Sequence, residues 1–102
     1  MEINMNLDLN ELRERINETD KEIVDLFVRR MSISADIAEY KRQNSLPVLD
    51  ATRERELLDK VAALSGDGME NYTRELYITI MKLSRDYQNA VIIGDQSSDK
   101  VE

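Results

Sequence analysis

The first third of the chain is an unbroken amphipathic segment, and its length limits the folds that the sequence can adopt. From about Asp8 to Gln43 there is neither proline nor glycine. Apolar residues recur there every seven positions, in one row at Leu9, Ile16, Ile23, Arg30 and Ile37 and a second at Leu12, Thr19, Leu26, Ile33 and Tyr40. Arg30 and Thr19 interrupt the rows. This period predicts one long helix with a continuous apolar face.

The length of this helix predicts a partner. At 1.5 Å per residue, about 36 helical residues form a rod of roughly 54 Å. A compact chain of 102 residues is only about 33 Å across. The helix must project beyond such a globule, so something else must cover its apolar face. The simplest cover is a second copy of the chain in a symmetric homodimer.

Helix-breaking residues divide the rest of the chain. They are Pro47, Gly66, Gly68 and Gly94. The second helix is expected to begin after Asp50, a suitable N-cap, and to end at Ser65. The third is expected from about Asn71 to Ile93. Its inward face should carry Leu76, Ile80, Leu83, Tyr87 and Val91.

The predicted fold class is therefore all-α, with three helices of which the first is very long. We expect one domain at residues 1–94 and a polar, disordered tail at residues 95–102.

Composition excludes several classes of function. The chain has 14 Lys and Arg against 21 Asp and Glu, a net charge of −7, which argues against nucleic-acid or membrane partners. It has no cysteine and no histidine, which excludes disulfides, the usual zinc sites and Ser/His or Cys/His catalysis. With no apolar leader or membrane-length apolar run, we expect a soluble cytoplasmic protein.

Four polar residues are placed as if to meet an anion. Arg30 lies in an apolar row, where a guanidinium is costly unless paired. Lys41 follows it by 11 residues, about 20° around the helix and roughly 16 Å along it. Ser84 and Gln88 lie one turn apart on the inward face of the third helix. Each has an ordinary explanation, as an interhelical ion pair, a solvated lysine or a satisfied core pair; together they suggest a small anionic ligand.

The position of Arg13 tests this hypothesis. It precedes Arg30 by 17 residues, so on one helix it lies about 25 Å away and points about 100° elsewhere. If both arginines contact one small ligand, Arg13 must come from the partner chain. A further polar cluster, Asp50, Arg53 and Glu54, opens the second helix.

The ordered series of motifs is similar to the all-helical chorismate mutases, the AroQ class. It comprises Leu12-Arg13-(x)2-Ile16, Asp20, Arg29-Arg30, Lys41, Pro47-Val48-Leu49-Asp50-(x)2-Arg53-Glu54-Arg55-Glu56 and Ser84-(x)3-Gln88. The resemblance covers roughly residues 9–92. It implies an intertwined three-helix homodimer that converts chorismate to prephenate on the route to phenylalanine and tyrosine, without a cofactor.

The resemblance also implies a substrate contact for eight polar residues. Arg13 of one subunit and Arg30 of the other would bind the two carboxylates, supported by Ser84 and Arg53; Lys41 and Gln88 would donate to the ether oxygen; Glu54 with Asp50 would hold the ring hydroxyl. An arginine fork suits a carboxylate.

Three alternatives stay open at this point. An isochorismate-pyruvate lyase, or a mutase acting on amino-deoxychorismate, would share the fold. A helical dimerisation module without enzymatic activity would need the heptads alone, but it would leave Arg30, Lys41, Ser84 and Gln88 without a purpose.

Overall fold

The chain folds into three α-helices. A computed structural model describes residues 7–101, with side chains for residues 7–94. The helices are α1 at Leu9–Gln43, α2 at Ala51–Ser65 and α3 at Glu70–Val101. There is no strand within the described residues, which confirms the all-α prediction.

The first helix begins and ends where its sequence predicts. At its start the Asp8 carboxylate accepts a hydrogen bond of 3.0 Å from the Asn10 backbone amide, as an N-cap side chain does. At its end Lys41 and Arg42 occupy the last turn, where cations favour the helix dipole. Ser45 then turns the chain with a φ of 55°.

The structure divides into two compact units, one ending at Arg30 and the other beginning at Met31. In the first, the predicted apolar face of α1 is open to solvent. The side chains of Leu9, Ile16, Ile23 and Leu26 are each more than half exposed.

The second unit contains the small core of the chain. Among the described residues, the buried apolar side chains are Ala38, Val61, Ala62 and Met81. Helices α2 and α3 pack together, and Arg74 of α3 forms a 3.0 Å ion pair with Asp59 of α2. Ile80 and Val91 are half-buried.

The other three apolar residues predicted to face inward on α3 do not do so in the single chain. Leu76, Leu83 and Tyr87 are exposed. The helical period predicts which side chains share one face of α3, but it does not identify the surface that covers that face.

Capping residues fix both ends of α2. The Asp50 side chain accepts a hydrogen bond of 3.0 Å from the Arg53 backbone amide, which confirms it as the N-cap. After Ser65 the chain adopts positive φ at Gly66 (82°) and Gly68 (87°). Glycine takes this conformation without a steric penalty, and the helix ends there as predicted.

The predicted end of α3 at Ile93 was wrong, because the helix continues through Gly94 to Val101. Gly94 does not have a positive φ. A glycine inside a helix costs only about 1 kcal/mol relative to alanine, so it does not by itself end the helix. The side chains of residues 95–102 lie outside the described set, and the disordered tail stays a prediction.

None of the helices, over the described residues, is both long and apolar enough to cross a membrane.

Candidate active site

A chain of three buried polar side chains joins α1 to α3. Ser84 and Gln88 lie one turn apart on α3, and the Gln88 amide nitrogen donates to the Ser84 hydroxyl at 3.1 Å. The Ser84 hydroxyl shares a hydrogen bond of 2.7 Å with the Ser34 hydroxyl of α1. All three residues are more than nine-tenths buried. The prediction that Ser84 and Gln88 face inward agrees with this placement.

One atom among these three hydrogen-bonded side chains has no hydrogen-bond partner. The buried side-chain oxygen of Gln88, Oε1, makes no hydrogen bond. A primary amide offers two donor hydrogens and one acceptor oxygen, and leaving a buried polar group unsatisfied costs about 1–3 kcal/mol. The Gln88 amide therefore has hydrogen-bonding capacity that the single chain does not use.

Lys41 is held against the connection between α1 and α2. Its ammonium donates to the Val48 backbone carbonyl at 2.6 Å. It follows Ser34 by seven residues on α1, so it lies on the same side of the helix, about 10 Å further along. An ammonium carries three hydrogens, so Lys41 retains donors for a ligand. It is half-buried and is not an ordinary solvated lysine.

The residues that open α2 divide into two groups. Glu54 turns toward α3, where Arg85 donates to its two carboxylate oxygens at 2.5 and 2.6 Å. Asp50 caps the helix through one oxygen, and Arg53 is exposed on the surface. The structure therefore places Glu54 beside α3 and leaves Asp50 and Arg53 at the exposed start of α2.

The two arginines predicted to bind carboxylates belong to the first unit. Arg13 is exposed, whereas Arg30 is partly buried. The other six predicted site residues belong to the second unit. The role of each of the eight toward a substrate stays a prediction.

Sequence reasoning missed three groups of this region: Ser34, Arg85 and the Val48 carbonyl. Ser34 follows Arg30 by one helical turn, so the pattern that singled out Arg30 could have found it. Arg85 pairs with Glu54 across 31 residues, and no local pattern predicts a contact at that separation. A backbone carbonyl acceptor has no sequence signal at all.

The polar groups of the second unit are of the chemical types that suit an anionic ligand with polar oxygens. Lys41 and the Gln88 amide are donors, and the Glu54 carboxylate is an acceptor that Arg85 neutralises in part. Within the described residues, no group of three His, Cys, Asp or Glu side chains is placed to hold a metal ion.

Comparison with known proteins identifies the family. The sequence profile of the chorismate mutase type II family matches residues 12–89. The chain belongs to this family. The resemblance read from the motifs is thereby confirmed.

Individual relatives agree with the family assignment. The chorismate mutase of Methanocaldococcus jannaschii is 30% identical over 83 residues, covering 81% of this chain and 82% of that protein. The bifunctional chorismate mutase/prephenate dehydratase of Buchnera aphidicola is 40% identical over 72 residues, or 71% of this chain. The T-protein of Haemophilus influenzae is 27% identical over an alignment of 101 positions, which covers 84% of this chain.

The chain spans only part of the longer relatives, 18% of the Buchnera protein and 27% of the Haemophilus protein. No solved structure matches it significantly.

Proposed function

We propose that this chain is a chorismate mutase, an isomerase that rearranges chorismate to prephenate. The observation that carries the proposal is the family match over residues 12–89, which contains all eight predicted substrate contacts. The relative named chorismate mutase, of which the match covers 82%, supports the same activity.

The chemistry of the rearrangement fits the available side chains. It is intramolecular: the carbon–oxygen bond of the ether breaks while a carbon–carbon bond forms between the enolpyruvyl arm and the ring. No proton is transferred and no nucleophile is needed. The protein has to hold the arm over the ring and stabilise the negative charge that grows on the ether oxygen. Lys41 and Gln88 are the donors for that oxygen.

The remaining contacts orient the substrate. Arg13 and Arg30 bind the two carboxylates, and Ser84 and Arg53 support them. Glu54 with Asp50 accepts from the ring hydroxyl. Arg85 occupies one side of the Glu54 carboxylate, but a carboxylate has about four acceptor positions. Glu54 thus retains capacity for the hydroxyl.

The working form is a homodimer in which two copies pair through α1. The apolar side chains exposed along this helix are Leu9, Ile16, Ile23, Leu26, Ile33, Ile37 and Tyr40. Burying them in both copies is worth roughly 10–20 kcal/mol, taking about half of the usual value for a fully buried side chain. Association costs roughly 4–15 kcal/mol, so the midpoints of the two ranges, about 15 against about 10 kcal/mol, favour pairing. A second copy fits because the apolar rows repeat along the whole helix.

Dimerisation also completes the carboxylate contacts. Arg13 and Arg30 lie about 25 Å apart along one helix, too far to hold one small substrate. In the dimer, Arg13 reaches the site of the partner.

Product identification tests the function. The purified chain is incubated separately with chorismate, isochorismate and amino-deoxychorismate, and the products are identified by mass spectrometry and NMR. We expect prephenate from chorismate as the main activity. Pyruvate release from isochorismate as the main activity would instead favour the lyase, and inert substrates would favour a dimerisation module.

A further inference from the structure

The buried hydroxyl of Ser34 has no part in the function proposed above. It is nevertheless linked to Gln88 by two hydrogen bonds that pass through Ser84. It is 4% exposed and bonds to the Ser84 hydroxyl at 2.7 Å, with either oxygen able to donate. We propose that Ser34 is a positioning residue that directs the Gln88 amide toward the ligand. The inference rests on the proposed function of Gln88 as donor to the ether oxygen.

The direction of the hydrogen bonds follows from counting donors. Each serine hydroxyl carries one proton. If Ser84 gives its proton to Ser34, it has none left, and the Gln88 oxygen stays unpartnered as observed. If Ser34 gives its proton to Ser84, the Ser84 proton is free for Gln88. Only this second arrangement supplies a hydrogen-bond donor for the Gln88 oxygen.

The amide must also turn over. Rotation by 180° about the last side-chain torsion of Gln88 exchanges its oxygen and nitrogen. The oxygen then accepts from Ser84 at the position where the nitrogen now lies, 3.1 Å away. The nitrogen takes the place of the unpartnered oxygen, where its two hydrogens require an acceptor.

An ether oxygen supplies the acceptor that this orientation requires. Ser34 then donates to Ser84, Ser84 donates to the Gln88 oxygen, and the Gln88 nitrogen donates to the ligand. Linked hydrogen bonds polarise one another, so the Ser34 proton both fixes the orientation of the amide and strengthens its donation. This arrangement replaces the role beside the substrate carboxylates that was proposed for Ser84 above, because the single proton of Ser84 is donated to Gln88.

The kinetic test compares two serines of α1. Ser34→Ala should lower kcat about fivefold, the effect of one neutral hydrogen bond, with KM changed less than about twofold. Ser32, two positions earlier and exposed, is the matched control, and Ser32→Ala should leave both constants unchanged. Circular dichroism melts of both variants verify folding. A kcat for Ser34→Ala equal to that of Ser32→Ala would overturn the inference.

A titration tests, without any turnover, whether donation by Ser34 strengthens the donation of Ser84 to position 88. In Gln88→Glu the new carboxyl occupies the end of the hydroxyl chain, and its pKa is measured by carbon NMR in the presence and absence of Ser34→Ala. A hydroxyl that donates to a carboxylate lowers the carboxyl pKa. If Ser34 directs the Ser84 proton to position 88, Ser34→Ala should raise that pKa by about half a unit.

The sign of the shift decides the matter. If Ser34 does not donate to Ser84, removing Ser34 leaves the pKa at position 88 unchanged or lowers it. A fall or no change overturns the inference. Because this titration needs no substrate, it separates the two proposals: a wild-type chain that leaves chorismate unchanged refutes the proposed function alone.

Discussion

Gln88 is the residue at which the proposed chemistry can be tested by pH. A neutral amide donates at every pH, whereas a carboxyl donates only while protonated. Gln88→Glu should therefore convert chorismate at acidic pH and lose at least about tenfold in kcat as the carboxyl ionises, since the charge would repel the ether oxygen. Stopped-assay rates from pH 4.5 to 9, with wild type as the control, measure this. A mutant profile parallel to that of wild type would place Gln88 away from the ether oxygen.

Asp50 has one role in the structure and another in the proposal, and two substitutions separate them. Its carboxylate caps α2 and is predicted to hold the ring hydroxyl. Asparagine caps a helix about as well as aspartate, whereas alanine costs about 1 kcal/mol. Asp50→Asn should keep the stability of the wild type and Asp50→Ala should not. Both should lose about tenfold in kcat/KM, the lower end for a hydrogen bond to a charged group.

The measurements are urea unfolding and steady-state kinetics on the same preparations. Full activity in Asp50→Asn would mean that the capping role is the whole role of this residue.

At the scale of the helices, two glycines make opposite predictions. Gly66 follows α2 with φ 82° and ψ 175°, a region that is essentially restricted to glycine. Gly94 lies within α3. An added Cβ meets no atom within 4 Å at either position, so only the backbone distinguishes them. Gly66→Ala should destabilise the chain by about 1–3 kcal/mol, and Gly94→Ala should stabilise it by up to about 1 kcal/mol.

Urea unfolding followed by circular dichroism, at one fixed protein concentration, checks both variants. Equal changes in the two would mean that the backbone of α2 does not end as described, or that α3 does not continue through Gly94.

The helices themselves were largely predictable from the sequence. The seven-residue period and the absence of breakers predicted α1, and Asp50 predicted the start of α2, because these signals act locally. The end of α3 was not predictable from Gly94, since a single glycine is a weak breaker and its effect depends on the neighbouring turns.

The hydrogen bonds of the candidate site were predictable only where residues share a helix. Ser84 and Gln88 were found by their spacing of one turn. Their partner Ser34, and the pairing of Glu54 with Arg85, depend on contacts between helices, which periodicity does not encode. Leu83 and Tyr87 show the same limit, because a helical face can be predicted without knowing what covers it.

At the scale of the whole molecule, the proposed site requires two copies of the chain. The exposed apolar face of α1 and the separation of Arg13 from Arg30 are independent observations, and pairing through α1 accounts for both. The first concerns stability and the second concerns catalysis. A dimer that failed to place Arg13 at the partner's site would cover the apolar face of α1. It would not explain how Arg13 and Arg30 bind one substrate.

Mixing two inactive variants tests the central claim, a chorismate mutase site built by two subunits. Arg13→Ala and Lys41→Ala should each remove most activity while leaving a folded dimer by light scattering. A mixed dimer contains one site with both lesions and one with neither. After subunit exchange, confirmed by native mass spectrometry, an equal mixture should recover about a quarter of the wild-type rate of chorismate loss, since about half of the dimers are mixed. A mixture that exchanges fully and stays inactive would contradict the account.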